Sequence, residues 1–141
     1  MIYLDTSIVI PNYWPELLSE ASQQLLRIET QRGLSQLVEV EFFSALSRRV
    51  RMREISQEEA RQIAIEFQRD LDDFFYTRIP LQPFHYQQAR EWIGRFDTAL
   101  RTLDAIHLAI AAANDLRLVT ADEALAEAAN VFGIAVQLIT P

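Results

Sequence analysis

Short apolar runs alternate with longer amphipathic stretches along the whole chain. The first run, Met1 to Leu4, leads directly into Asp5, which is the pattern of a short buried strand that delivers an acid to the edge of a sheet. The residues from Ser7 to Asn12 then predict a short helical turn that Ser7 caps. Further strands are predicted over residues 34–38, 75–79, 116–119 and 134–139.

Between these strands, apolar residues recur at the spacing of amphipathic helices. Ser56 with Glu59, and Thr120 with Glu123, have the spacing of capping boxes that open two of the helices. Gly33 is predicted to end the first long helix. Helices are predicted over residues 15–32, 40–51, 56–74, 84–96, 98–114 and 120–132.

Strands that are separated by helices predict a three-layer α/β/α sandwich with a central parallel sheet of four or five strands. The 141 residues, half of them hydrophobic, suffice for one domain with a substantial core, so residues 1–141 are expected to form a single domain. No apolar run approaches the roughly 18 residues of a membrane span, and the first residues fit a strand better than a signal peptide. A soluble, cytoplasmic protein without membrane association is expected.

Four acidic residues are predicted to meet at one edge of this sheet. Asp5 and Asp122 each follow a predicted strand, so both lie at the carboxyl edge, where ligands bind in such folds. Glu41 lies in the first turns of a helix that leaves the same edge. Asp104 lies near the start of a helix that must finish at the amino edge to feed the next strand. All four carboxylates therefore converge on the carboxyl edge.

Carboxylates crowded into one pocket repel one another, and burial adds to the free energy of keeping them charged. A divalent cation removes this conflict, and oxygen ligands completed by water favour Mg²⁺ or Mn²⁺ over zinc. The absence of cysteine excludes thiolate zinc sites and cysteine nucleophiles. The hydroxyls of Thr6 and Thr120 are expected to support the ligands. The alternative for each acid alone is a helix cap or a partner of the helix dipole.

Other polar residues have simpler interpretations. Glu39 competes with Glu41, but positions two residues apart on a helix differ by about 200°, so only one of them faces the site, and Glu41 is preferred. The aspartates between residues 70 and 73 are typical of a solvated helix end. His107, which lies among apolar neighbours, is interpreted as a hydrogen-bonded residue at the border of the core.

The net charge of −7 is opposite to the usual basic footprint of a nucleic-acid binder. Arg48, Arg49, Arg51 and Arg53 nevertheless lie together and are candidate phosphate contacts through charge attraction. An equally weighted alternative is a solvated charge run, because successive helical positions spread around the axis. All 13 basic residues are arginine. The missing lysine argues against a phosphoryl-accepting signalling domain, which ordinarily has a lysine near the phosphate.

Four stretches of the chain together form a recognisable pattern: Ile2 to Ser7, Ser35 to Glu41 with the following Ala45 and Leu46, Leu100 to Ala109, and Leu118 to Asp122. They resemble the PIN-domain family, and within it the VapC toxins of VapBC toxin–antitoxin pairs. The resemblance extends over nearly the whole chain, and its most specific part is the stretch around Asp104.

The resemblance implies a metal-dependent endoribonuclease that uses Mg²⁺ or Mn²⁺. It further implies that Asp5, Glu41, Asp104 and Asp122 form its acidic quartet, as metal ligands and catalytic residues. RNA as substrate, a homodimer, and inhibition by a cognate antitoxin protein follow from the same resemblance. The remaining alternative is a catalytically idle member of the fold that binds RNA or a protein, because a fold alone does not prove activity.

Overall fold

The computed structural model describes all residues from Met1 to Pro141 and centres on a five-stranded sheet. Every pair of neighbouring strands is parallel, and the spatial order is β3-β2-β1-β4-β5. This confirms the predicted parallel sheet of four or five strands. The strands are β1 Ile2–Leu4, β2 Arg32–Leu34, β3 Thr77–Arg78, β4 Arg117–Thr120 and β5 Val136–Leu138.

Seven helices connect the strands. A 3₁₀ turn, Ile10–Asn12, continues the first helix. None of the seven combines the length and the apolar composition that crossing a membrane requires. The helices are α1 Thr6–Val9, α2 Ser19–Ile28, α3 Gln36–Arg51, α4 Gln57–Asp72, α5 Pro83–Ile93, α6 Thr102–Ala113 and α7 Glu123–Val131.

Helices cover both faces of the sheet, so the predicted α/β/α sandwich is confirmed. Side chains alternate between the faces along a strand. Ile2 and Leu4 of β1 accordingly pack in one apolar cluster with α1, α2, α3 and α4, whereas Tyr3 packs in a second cluster with α5, α6 and α7. In β4 the same alternation sends Val119 to the first cluster and Leu118 to the second. Burial on both faces explains why the strands read as continuous apolar runs.

The strand predicted over residues 34–38 is wrong in its position, because β2 ends at Leu34 and α3 begins at Gln36. Gly33 does not end a helix but lies inside β2. A Cβ atom there would approach Ile79 Cδ1 to 2.5 Å and the carbonyl oxygen of Ile2 to 2.9 Å. The glycine is therefore required by the close approach of the neighbouring strand and of Ile79.

The helix predicted from residue 15 to residue 32 is shorter than expected. It begins at Ser19, because the Ser19 hydroxyl binds the preceding loop by accepting from Glu16 N at 2.9 Å and donating to Trp14 O at 3.1 Å. It ends at Ile28, and the Arg32 guanidinium donates to the carbonyl oxygen of Leu26 at 2.7 and 2.9 Å. The Arg32 side chain thus supplies the hydrogen bond that a backbone N–H of a further helical turn would otherwise donate to this carbonyl oxygen.

Two of the predicted helix caps are also wrong. Asp5 and not Ser7 caps α1, and Asp122 and not Thr120 caps α7. In both places the hydroxyl lies nearby but bonds to a carboxylate of the candidate site. The capping box of Ser56 and Glu59 at the start of α4 is confirmed. The helix predicted from residue 98 begins at Thr102, and the remaining bounds differ by a few residues.

The order of connections places a topological switch point between β1 and β4. From β1 the chain winds outward to β2 and β3, then returns to β4 on the other side of β1. Crossovers that leave in opposite directions open a crevice at the carboxyl ends of the two strands, which is where ligands bind in open α/β sheets. Asp5 follows β1 and Asp122 follows β4 at this crevice.

Candidate active site

Asp5 is held by three hydrogen bonds at the end of β1. Its Oδ1 accepts from the Ser7 backbone N–H at 3.1 Å and from the Ser7 hydroxyl at 2.5 Å, and its Oδ2 accepts from the Thr120 hydroxyl at 2.5 Å. The residue is only 5% exposed. Burial raises the pKa of the Asp5 carboxyl, and the hydrogen bonds from Ser7 and Thr120 counteract part of that rise. The carboxylate is therefore fixed in orientation but poorly solvated.

The same two hydroxyls position Asp122. Ser7 Oγ accepts from the backbone N–H of Ala121, and Thr120 Oγ1 accepts from that of Asp122, each at 3.0 Å. The loop between β4 and α7 is thereby tied to the Asp5 carboxylate. Asp122 caps α7 through Oδ1, which accepts from two backbone N–H groups of the first turn. Its other oxygen, Oδ2, is left for a further ligand.

Glu41 extends from the second turn of α3 and is half-buried. Its Oε1 accepts from the Thr6 hydroxyl at 2.9 Å and from His107 Nε2 at 2.5 Å. Burial alone would raise the pKa of the Glu41 carboxyl, but the hydrogen bond and electrostatic attraction of His107, with the hydrogen bond from Thr6, outweigh burial and hold the pKa below its usual range. Glu39 is engaged elsewhere, because both its carboxylate oxygens bind Arg78 at 2.9 and 3.0 Å.

Asp104 lies in the first turn of α6 and is half-buried. Burial raises the pKa of its carboxyl, and repulsion from Asp122, Asp5 and Glu41 raises it further, while His107 acts in the opposite direction. Asp104 therefore lies within electrostatic range of Asp122, Asp5 and Glu41. The four acids come from the end of β1, from α3, from the first turn of α6 and from the start of α7.

A buried polar chain that the sequence did not predict supports Glu41. The hydroxyl of Tyr3 lies 2.8 Å from Ser35 Oγ and 2.6 Å from His107 Nδ1, and Tyr3, Ser35 and His107 are at most 2% exposed. His107 was interpreted only as a hydrogen-bonded residue at the border of the core. Its position one turn after Asp104, on the same helix face, was the available signal that it points toward the site.

Three of the candidate phosphate contacts, Arg48, Arg49 and Arg51, lie in the last turn of α3, and Arg53 lies just beyond it. Arg49 pairs with Glu16 at 3.3 Å, and its guanidinium lies 4.8 Å from the centre of the Trp14 ring. Arg51 donates to Ser47 Oγ at 2.7 Å. Arg48 and Arg53 are exposed and pair with no carboxylate. These arginines do not form one continuous patch with the acids.

The fit of a divalent cation rests on the chemistry of this donor set. No three Asp, Glu or His side chains lie close enough together to ligate one ion simultaneously. Mg²⁺ does not need such a cage, because it retains several waters and takes one or two carboxylates directly. The unfavourable charge of Asp104 is the observation that favours a cation, since a doubly charged ion removes the repulsion that raises its pKa. Oxygen donors with free lone pairs suit Mg²⁺ and Mn²⁺.

The fold and the site together define a class: a parallel α/β sandwich with an acidic pocket at the switch point of its sheet. The chain belongs to the PIN-domain family, whose model matches residues 2–131. This confirms the resemblance that the four sequence stretches indicated. No curated protein matches the sequence.

Solved structures with the same fold include proteins of toxin–antitoxin systems. VapC20 of Mycobacterium tuberculosis, a sarcin-ricin loop cleaving toxin, is 18% identical with a TM-score of 0.73, over 91% of this chain and 95% of its own. FitAcB of Neisseria gonorrhoeae is 17% identical with a TM-score of 0.75, over 96% of both chains. VapBC2 of Rickettsia felis, bound to a DNA fragment from its promoter, is 18% identical with a TM-score of 0.65, over 99% and 100%. At these identities the likeness establishes the fold.

Proposed function

We propose that this protein is an endoribonuclease that depends on Mg²⁺ or Mn²⁺ and hydrolyses RNA phosphodiester bonds. The observation that supports the proposal is the position of Asp5 and Asp122 at the switch point of the sheet, with Asp104 repelled by both of them and by Glu41. Burial and the repulsion from the other three carboxylates both raise the pKa of the Asp104 carboxyl, and perturbed acids of this kind cluster at functional sites. Asp5, Asp104 and Asp122 are assigned to the metal site, each binding an ion either directly or through a coordinated water, and Glu41 is assigned as a ligand or as the base that positions the attacking water.

The bound cation would supply charge neutralisation at the phosphate and activation of a water molecule. The chain's own residues supply orientation. Ser7 and Thr120 hold the Asp5 carboxylate from both sides, and the same hydroxyls hold the backbone that carries Asp122. Thr6 fixes one oxygen of Glu41. Because these bonds exist in the resting structure, little reorganisation is needed when the charges of the reaction develop.

The toxin of a toxin–antitoxin pair is the biological role that we propose for this activity. Its support is the family, together with the likeness to VapC20 and to the complexes FitAcB and VapBC2. A cognate antitoxin as inhibitor and a homodimer as the assembly belong to this proposal. A catalytically idle module that binds RNA or protein is the second candidate, and a turnover assay separates it from the nuclease.

Cleavage of RNA that stops on removal of divalent ions is the expected result for the purified protein. With Mg²⁺ or Mn²⁺, a labelled RNA should be cut to fragments with 5′-phosphate ends, and excess EDTA should stop the reaction until Mg²⁺ is restored. The readout is gel analysis of the fragments. A copurified nuclease is excluded by preparing Asp104→Asn in parallel. Equal cleavage in EDTA, or by that variant, would overturn the metal-dependent mechanism.

Arg48 is the arginine that we propose contacts the RNA backbone. It lies seven residues after Glu41, hence on the same face of α3 and about 10 Å along the axis. Arg48→Gln should weaken RNA binding and lower the slope of log K against log[salt] by about 0.7, the value for one phosphate contact of a single strand. Arg49→Gln is the matched control, because Arg49 already pairs with Glu16. Equal slopes for both variants in filter-binding titrations would show that Arg48 is a solvated charge that does not contact the RNA.

A further inference from the structure

Four polar side chains form a hydrogen-bonded chain that runs from the core to the acidic site. It begins at Ser35, passes through the Tyr3 hydroxyl and the His107 ring, and ends on Glu41 Oε1. The successive distances are 2.8, 2.6 and 2.5 Å. Tyr3 comes from β1, His107 from α6 and Glu41 from α3, and Ser35 is the residue that joins β2 to α3. The chain therefore links the elements that must be aligned for the acids to meet.

Packing alone gives no reason for this polar chain. Burying a hydroxyl or an imidazole in an apolar core is unfavourable unless each polar atom is paired, and apolar side chains of similar volume would fill the space without that penalty. The Tyr3 ring already belongs to the apolar cluster with α5, α6 and α7. The polar atoms add a defined orientation of the side chains, because each hydrogen bond orients the next group in the chain.

The direction of the last hydrogen bond follows from the chemistry of Glu41. A carboxylate only accepts, so His107 Nε2 must carry a hydrogen whether the ring is neutral or protonated. In the neutral ring Nδ1 is then the acceptor, and the Tyr3 hydroxyl donates to it while Ser35 donates to Tyr3. Glu41 Oε1 is thus bound by both His107 and Thr6, and Oε2 has no hydrogen-bond partner in the protein.

We propose that His107 is a positioning residue, which Tyr3 holds in the tautomer that fixes Glu41 for binding the divalent cation. The inference rests on the proposed metal site and adds to it a support that the acidic quartet does not include. A hydrogen bond from outside the ligand shell orients a ligand and preserves its basicity, and removing such a partner lowers metal affinity about 10- to 100-fold. The role is separate from catalysis, because Glu41 is the only acid of the site to which His107 is hydrogen-bonded.

Mn²⁺ binding to the RNA-free protein tests this role without depending on turnover. His107→Leu removes the donor and should weaken Mn²⁺ binding at least about tenfold in calorimetric titrations. His107→Gln places an amide N–H near the position of Nε2 and should stay within about threefold of the unchanged protein. Tyr3→Phe keeps the buried ring and removes only the hydroxyl, so it should weaken binding about three- to tenfold.

Tyr76→Phe is the matched control for the loss of a buried tyrosine hydroxyl. Tyr76 is 2% exposed, and its hydroxyl lies 2.9 Å from that of Tyr13, outside the chain that leads to Glu41. Its variant should lose stability to a similar extent as Tyr3→Phe and yet bind Mn²⁺ with unchanged affinity. This comparison separates positioning from a general effect on the core.

The ¹⁵N spectrum of the two imidazole rings gives a readout that stability does not affect. His85 serves as an internal reference, because its Nδ1 accepts from the Gln82 backbone N–H at 2.8 Å and fixes its tautomer independently. In the unchanged protein, Nε2 of His107 should carry the hydrogen. Tyr3→Phe should shift the His107 signals toward a mixture of tautomers and leave those of His85 in place.

The outcomes separate this inference from the proposed nuclease function. Weaker Mn²⁺ binding by folded His107→Leu and by Tyr3→Phe, with near-normal binding by His107→Gln and Tyr76→Phe, supports the positioning role. Unchanged Mn²⁺ affinity in His107→Leu and Tyr3→Phe overturns it, while RNA cleavage by the same proteins leaves the nuclease proposal intact. Absence of Mn²⁺ binding by the unchanged protein overturns both.

Discussion

Replacing Asp104 with Asn is expected to stabilise the metal-free protein and at the same time to abolish RNA cleavage. The half-buried Asp104 carboxylate is repelled by Asp122, Asp5 and Glu41, and it makes no hydrogen bond that an amide would lose. Removing its charge should raise the free energy of unfolding by about 1 kcal/mol or less, because solvent screens part of the repulsion. Urea titration in EDTA measures this gain.

The same substitution removes a proposed ligand from the cation site. Cleavage should fall by about a thousandfold, since several kcal/mol of transition-state stabilisation depend on the metal. Stabilisation of the protein by added Mn²⁺ should disappear as well. Glu123→Gln is the matched control: it removes one exposed negative charge from the residue after Asp122 and should leave cleavage unchanged. A less stable Asp104→Asn variant would contradict the repulsion inferred here.

Asp5→Asn should abolish cleavage to a similar degree but with the opposite effect on stability. Both Asp5 oxygens accept from hydroxyls, and those hydroxyls in turn accept from Ala121 N and Asp122 N. An amide group in place of either oxygen leaves one hydroxyl hydrogen without an acceptor in a buried site. The expected loss is about 1–3 kcal/mol of unfolding free energy, measured by urea titration in EDTA.

Thr120→Val separates support from ligation at this position. Valine keeps the shape of the side chain but removes the hydroxyl that joins Asp5 to the Asp122 backbone. Its stability should fall by about 1–3 kcal/mol, as in Asp5→Asn, whereas cleavage should persist at a rate lowered about 10- to 100-fold. If Asp5→Asn and Thr120→Val were equally inactive, the loss of cleavage in Asp5→Asn could be explained by lost structural support alone, and it would not support Asp5 as a metal ligand.

The opposite signs for Asp104 and Asp5 follow from their surroundings. Asp5 accepts three hydrogen bonds and is part of the scaffold even without a cation. Asp104 has no such compensation, so its charge is tolerated in the metal-free fold at the expense of stability. A site that binds a cation tightly must retain some unbalanced negative charge, and a loss of stability at functional sites is the expected consequence.

Much of the fold could be predicted from patterning. The apolar run before Asp5 and the helical periods between strands were sufficient for a parallel sandwich, because burial on both faces dictates those patterns. The position of Asp5 and Asp122 at the carboxyl edge followed from the alternation of strands and helices, which sets the edge at which each strand ends. The error around Gly33 arose because glycine ends helices and also permits close strand approach, and only the positions of the Ile2 carbonyl oxygen and of Ile79 distinguish the two.

The errors at the two caps have one physical cause. Ser7 and Thr120 have the local spacing of capping residues, and a hydroxyl near a helix start normally binds a backbone N–H of that helix. Here the Asp5 carboxylate lies within reach of both hydroxyls and is the stronger acceptor, because hydrogen bonds to a charged group exceed those to neutral ones. Asp5 and Asp122 therefore cap α1 and α7 in place of Ser7 and Thr120.

The sequence by itself determined the layers, the strand that delivers Asp5, and the edge of the sheet where acids from distant segments gather. Only the tertiary structure decided that β1 and β4 are neighbours, that Thr120 bonds to Asp5, and that His107 reaches Glu41 across 66 positions of the chain. Periodicity reports which side of an element is buried. Hydrogen bonds between elements depend on their relative rotation and separation to within about 0.5 Å, and packing of the complete core sets those quantities.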